Sequence, residues 1–158
     1  MLTPTIDFQE ATTRDIEALI PLIRAYYEFE EIRFDDTAIR RGLAQFMADR
    51  SLGGAWLLVD AGARVGYFVL TYGFALEFGG LQATLTDLYL APTHRRRGIG
   101  ASAIGFVEAF LARRGIGALE LQVERDNLEA MAFYERLGFE AHDRAPLGKR
   151  IGSAPPAR

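Results

Sequence analysis

The sequence predicts a single α/β domain built around a mixed (α+β) sheet, and three observations predict it. Apolar runs of strand character cluster in mid-chain, over 55–60, 65–72 and 83–90. Two apolar helical faces precede that cluster. The most regular helix of the chain then lies between the strand at 83–90 and a cleanly alternating one at 118–124.

Each element has its own warrant. Thr5 to Glu10 reads as a short strand. Thr12-Thr13-Arg14-Asp15 fits a capping box and opens a helix whose Ile16, Leu19, Ile20, Ile23 and Tyr27 share one face; Pro21 inside it is expected to kink or interrupt it. A second helix starts near Asp36 and carries Ile39, Leu43, Phe46 and Met47 on one side. Ser51 to Gly54 is a break. Strands at Ala55 to Asp60 and Val65 to Tyr72 then flank the turn Ala61-Gly62-Ala63-Arg64, and another follows at Ala83 to Leu90. Ile99, Ala103, Phe106, Val107, Phe110 and Leu111 recur at helical spacing until Gly115 stops the run. In Ala118 to Glu124, Leu119, Leu121 and Val123 alternate with Glu120, Gln122 and Glu124. A last helix, Asn127 to Leu137, places Ala130, Phe133, Tyr134 and Leu137 on one face and ends at Gly138. Ala141 to Gly152 has little β pattern. The expected organisation is one domain over 1–152 with a frayed tail at 153–158.

Composition narrows the function classes. The 158 residues carry 18 Lys+Arg against 21 Asp+Glu, a net charge of −3, with 49% apolar residues. That is a globular protein of one-domain size, neither a disordered tail nor a basic nucleic-acid binder. The absence of cysteine removes disulfides, thiolate metal sites and cysteine nucleophiles together, and no metal site is expected. Met1-Leu2-Thr3-Pro4-Thr5 lacks the basic start and apolar core of a signal peptide. Uncharged stretches such as Val65 to Leu76 and Phe78 to Thr86 are too short to span a bilayer. A cytoplasmic protein without membrane or nucleic-acid partners is expected, and a homodimer is the expected assembly.

The segment from Leu85 to Ser102 carries the chemistry. It is a strand, a short polar loop with Arg95-Arg96-Arg97, and then Gly98-Ile99-Gly100 opening a helix. A helix start offers unpaired N–H groups and about half a unit of positive dipole charge, glycines allow close backbone approach, and arginines add fixed charge. Together these hold a diphosphate. Gly98 to Ala103 also satisfies G-x-G-x-x-A, a dinucleotide fingerprint, but Ala91 to Arg97 intervene and too little chain follows for further βαβ units. A nicotinamide oxidoreductase is therefore the weaker alternative. No Gly-Lys-Ser/Thr follows, which excludes a Walker-type loop.

On these residues the sequence resembles the GNAT superfamily of N-acetyltransferases. Arg95, Gly98 and Gly100 match its Gln/Arg-x-x-Gly-x-Gly/Ala motif; Asn127, Ala130, Phe133-Tyr134 and Gly138-Phe139 match its second signature. The resemblance implies an acyl-CoA N-acyltransferase fold with a central, splayed, mostly antiparallel sheet flanked by helices, and acetyl-CoA as co-substrate. It implies a pantetheine arm along Leu88, Tyr89 and Leu90 and a diphosphate over Arg95, Arg96, Arg97, Gly98, Ile99, Gly100, Ala101 and Ser102. Leu85 has opposite parity to Leu88 and Leu90, which independently suggests a bulge near Asp87.

The resemblance further implies direct attack of an amine on a thioester. Tyr134 corresponds to the general acid, Asn127 to a residue holding the cofactor arm, and the N–H near Leu88 to the donor that polarises the carbonyl. Asp87 is the candidate base or amine anchor. Simpler readings stand beside these: Tyr134 as core packing, Asn127 as an N-cap, Asp87 as a solvated strand residue, and His94 and His142 as surface residues. Gly73 to Glu77 together with Leu85 to Tyr89 is similar to the branch acetylating diamines and polyamines, except that Thr86 stands where that branch has Glu. Tyr26, Tyr27 and Glu28, with Phe74 and Asp87, are the candidate contacts for a small-molecule amine, since carboxylates beside aromatics suit a cation; a solvated acidic helix end is the other reading of 26–31. The rival from another class is a catalytically silent acetyl-CoA sensor.

Overall fold

The computed structural model describes residues 5–152, and the frayed tail expected at 153–158 lies outside them. Two compact units are distinguished, one ending at Leu121 and one beginning at Gln122.

The first unit opens with β1 (Asp7–Glu10). Thr12 then caps a 3-10 turn at Thr13–Asp15 through the expected box: Arg14 N–H donates to Thr12 Oγ1 at 3.3 Å, and Thr12 N–H to Asp15 Oδ2 at 2.9 Å. The chain continues into α1 (Ile16–Phe29), which runs through Pro21 without a break. The expected interruption does not occur. Proline removes one main-chain donor, while Leu19, Ile20 and Ile23 are buried on both sides of it and hold the two halves against one surface. Asp35 Oδ1 accepts from Ala38 N–H at 3.0 Å and starts α2 (Asp36–Ala48).

Strands β2 (Gly53–Asp60), β3 (Ala63–Ala75) and β4 (Gly80–Leu90) follow, then α3 (Ile99–Arg113) and β5 (Ala118–Leu121). Their order in the five-stranded sheet is β1-β2-β3-β4-β5. The first four strands pair antiparallel, and only β5 lies parallel to its neighbour β4. The strand expected to reach Glu124 therefore ends at Leu121. Its ladder with β4 stops at Leu85↔Leu121, and sequence alternation sets which way side chains point, not how far a neighbouring strand accompanies them.

The two sheet faces bury different chemistry. One face carries Leu57, Val59, Tyr67 and Tyr89 against Leu19, Ile20 and Ile23 of α1 and Leu43 of α2. The other stacks Trp56 on Phe68 (5.0 Å between centroids, 16°), with Phe106 and Phe110 of α3 packed on them.

The second unit holds α4 (Leu128–Arg136), with Asn127 as its N-cap. Residues 139–150 form no helix or strand, so among the described residues no C-terminal strand extends the sheet.

Candidate active site

The site is set by one extra residue in β4. Leu70 pairs with Leu85, but the next residue back along β3, Val69, pairs with Asp87, so Thr86 is unpaired in the ladder. This is the bulge that the parity of Leu85 and Leu88 anticipates. Its effect is on facing. In an unbroken register Asp87 would oppose Phe68 and share the α3 face; the extra residue puts it opposite Val69, on the face that carries Tyr67 and Tyr89.

Asp87 there meets a layer of tyrosines. The Tyr67 hydroxyl donates to Asp87 Oδ2 at 2.7 Å. Tyr26 packs against Tyr67, Tyr27 and Tyr89, at 6.3, 6.0 and 6.2 Å between ring centroids. Tyr67 has 0% exposure and Asp87 is half-buried. Burial raises the Asp87 carboxyl above the usual carboxylate range, and the hydrogen bonds from Tyr67 and Thr86 pull it part of the way back. Burial and then the Asp87 charge push the Tyr67 phenol far up, so it stays protonated and donates. Burial first, and the same charge second, raise Tyr27 as well.

Beyond Leu85 the β5 side of β4 is paired with no strand among the described residues. Ala91 N–H donates to Val65 O at 2.8 Å. Backbone polar groups alternate sides along a strand, so Leu88 and Leu90 turn theirs away from β3. Arg95 Nε fills the Leu90 carbonyl at 2.9 Å, with its guanidinium over Phe29 and Tyr89. Leu88 N–H points to the same open side.

The loop into α3 supplies backbone donors. Arg96 and Gly98 adopt positive φ, +59° and +77°, the backbone reversal that gathers successive N–H groups toward one point. The first turn closes with Ser102 N–H on Gly98 O at 3.0 Å, so the N–H groups of Ile99, Gly100 and Ala101 precede any intrahelical acceptor. That donor set fits a polyanion. The arginines divide their work: Arg95 is turned inward as described, and Arg97 Nη1 lies 3.6 Å from Asp60, which His94 Nε2 also approaches at 3.5 Å.

The other sequence-predicted contacts are dispersed. Tyr26 and Tyr27 join the Asp87 layer, whereas Glu28 is exposed. Phe74 pairs with Leu81 and is 65% exposed; five residues along β3 from Val69, it stands about 17 Å from the Asp87 pairing position. In the second unit, Asn127 Oδ1 accepts from Ala130 N–H at 3.1 Å, the capping role. Tyr134 packs edge-on against Phe133 and Phe139, at 5.0 and 5.4 Å. Sequence reasoning missed Tyr67. Its signal was a hydroxyl in the middle of a buried strand, which demands a partner. Among the described residues no group of three His, Cys, Asp or Glu could hold a metal ion, and no helix is long and apolar enough to cross a membrane.

Comparison with known proteins gives concordant matches. A family model described as the acetyltransferase (GNAT) family matches residues 16–139. An uncharacterised N-acetyltransferase from Methanocaldococcus jannaschii is 26% identical over 141 residues, which are 88% of this chain but 62% of that protein, so the chain spans less than two thirds of that relative's length. An integron cassette protein from the mobile metagenome of Cole Harbour salt marsh superposes with TM-score 0.81 at 30% identity, covering 94% of this chain and 91% of that one. An aminoglycoside N-acetyltransferase in complex with CoA shares the fold at TM-score 0.79 and 14% identity, over 93% and 95% of the two chains.

Proposed function

The chain belongs to the acetyltransferase (GNAT) family, and on that premise we propose that it transfers an acetyl group from acetyl-CoA to a primary amine of a small cationic metabolite, by direct attack in a ternary complex. The observation that carries this reading is the Asp87 carboxylate, half-buried beneath tyrosines, one residue from a backbone N–H turned off the β3 ladder.

Acetyl-CoA, when bound, supplies the acyl group as an activated thioester. The N–H groups of Ile99, Gly100 and Ala101 hold its diphosphate, and the open edge of β4 from Leu88 to Leu90 orients its arm. An ammonium has no lone pair with which to attack, so Asp87 takes its proton, directly or through a water. Leu88 N–H donates to the carbonyl oxygen as negative charge grows there. Tyr134, carried by the family's second signature, gives its phenolic proton to the departing sulfur. Tyr26 and Tyr27 present aromatic surface to a cation. The similarity of 85–89 to the diamine and polyamine branch makes such amines the first acceptors to try.

The test is steady-state release of CoA with a panel of alkyl monoamines, diamines, polyamines, aromatic amines and aminoglycosides. Turnover with at least one acceptor is expected. Tight acetyl-CoA binding with no CoA release across the panel would make this domain a sensor instead.

A further inference from the structure

We propose that Tyr67 is the positioning residue that favours the charged form of Asp87: its hydroxyl, fixed inside the sheet, holds one carboxylate oxygen so that the group can receive the proton of the incoming amine. The proposal rests on Asp87 acting as base.

Geometry carries it. Tyr67 pairs with Tyr89 and Val69 with Asp87, so Tyr67 and Asp87 are diagonal neighbours on one face, a separation that long side chains bridge. They meet only because Thr86 bulges out of the ladder. The hydroxyl lies 2.7 Å from Oδ2. Its ring is wedged between Tyr26 and Tyr89, each 6.3 Å away, and has 0% exposure. Tyr67 therefore acts through Asp87 and touches no substrate. Among the described residues, the groups that act on the carboxylate are hydroxyls: Tyr67 from β3, Tyr27 from α1 and Thr86 on its own strand.

A desolvated carboxyl without a donor favours its neutral form, which cannot accept a proton. A phenol too buried to ionise offers a hydrogen bond to the charged form and adds no competing charge. The burial of Asp87 and the donation from Tyr67 thus oppose each other: burial makes the group more basic than a solvated carboxylate, and the Tyr67 hydroxyl draws it back toward the charged form.

The experiment titrates Asp87 by carbon NMR with labelled aspartate in the ligand-free protein, assigning the signal by its loss in Asp87→Asn. It is run on the native chain, on Tyr67→Phe, and on a chain with 3,5-difluorotyrosine in place of Tyr67. The pH profile of kcat/KM is recorded for the same proteins with the fastest acceptor of the amine panel. Tyr67→Phe is expected to raise the Asp87 titration and the acidic limb of the profile together by about one to two pH units; the more acidic fluorinated phenol should lower both. If Tyr67→Phe does not fold, the fluorinated chain decides, since it keeps both the shape and the bond. An unmoved Asp87 titration overturns the proposal. If the titration moves but Asp87→Asn retains native turnover, Tyr67 does set the ionisation of Asp87 and it is the assignment of Asp87 as base that fails.

Discussion

The guanidinium of Arg95 lies over the Phe29 ring, 4.8 Å from its centre, while its Nε donates to the Leu90 carbonyl at 2.9 Å. One side chain thereby ties the last residue of α1, the last residue of β4 and the loop that precedes α3. The motif arginine acts on the proposed diphosphate site by holding the backbone around it.

Arg95→Lys tests this. An ammonium has no planar face to stack and no Nε placed for Leu90. The KM for acetyl-CoA should rise roughly fivefold to tenfold, from loss of a hydrogen bond and a cation–π contact at a partly exposed site. Steady-state kinetics at saturating amine should show kcat nearly unchanged. A fall in kcat at constant KM would place Arg95 in the chemical step instead.

Gly98 offers a graded series. Its φ is +77°, and a Cβ there would meet nothing within 4 Å, so substitution costs backbone strain alone. Alanine should lose about 1–2 kcal/mol, and asparagine, which tolerates the left-handed region, less. Calorimetric titration with CoA and thermal unfolding should both rank Gly98 above Gly98→Asn above Gly98→Ala. Equal CoA affinity across the series would remove this turn from the binding site.

How much of this was legible in the sequence depended on the range of the interaction. The Thr12 capping box, the start of α3 at Ile99 and the Asn127 cap are local, within a few residues, and each was readable. The bulge was readable too, because one slipped residue breaks the parity of Leu85 and Leu88. Tyr67 meets Asp87 across two strands at a separation of 20 residues, and no local pattern says which carboxylate a buried phenol will find. The inward turn of Arg95 likewise needs Phe29 and Leu90, which come together only in the fold. The continuation of α1 through Pro21 and the early end of β5 were not legible, because burial on both sides, and the reach of a partner strand, are tertiary facts.

Gly66 places β3 tightly against β4. A Cβ built there would come within 2.3 Å of Tyr89 O and 3.2 Å of Leu90 Cα. Both contacts are backbone, so β4 itself must move. Gly66→Ala should cost about 1–3 kcal/mol, as overpacking does, and should weaken CoA binding by displacing the edge from Leu88 to Leu90. Urea unfolding and titration with CoA check both effects; a native-like variant would mean that β4 shifts freely and that its edge is not a fitted surface.

Tyr134→Phe separates an acid from a packing residue. The ring contacts with Phe133 and Phe139 persist in the variant, so the fold should be retained. If the phenol protonates the departing thiolate, kcat should fall roughly 10²-fold or more while acetyl-CoA affinity stays near native. Unchanged turnover would remove Tyr134 from the mechanism.

Asp87→Asn couples activity to stability with a sign that can be worked out. Burial raises the carboxyl in the folded chain, whereas in the unfolded chain it titrates near ~3.9. Between those values the folded protein binds more protons than the unfolded one, so stability falls as pH rises through that interval. Asparagine cannot ionise, yet its side-chain oxygen can still accept from Tyr67. The variant should therefore be at least as stable as the native chain at pH 7, with an advantage that grows upward from about pH 4 and levels off once native Asp87 is fully ionised. Its kcat/KM should nonetheless drop by about 10²–10⁴, and native activity should fall as acid protonates the base. Urea unfolding of both proteins at a series of pH values, set beside their kinetics, checks the pair of outcomes. A variant that is inactive and clearly less stable at pH 7 would mean that ionised Asp87 holds the fold together, and the loss of activity would then say nothing about a poised base.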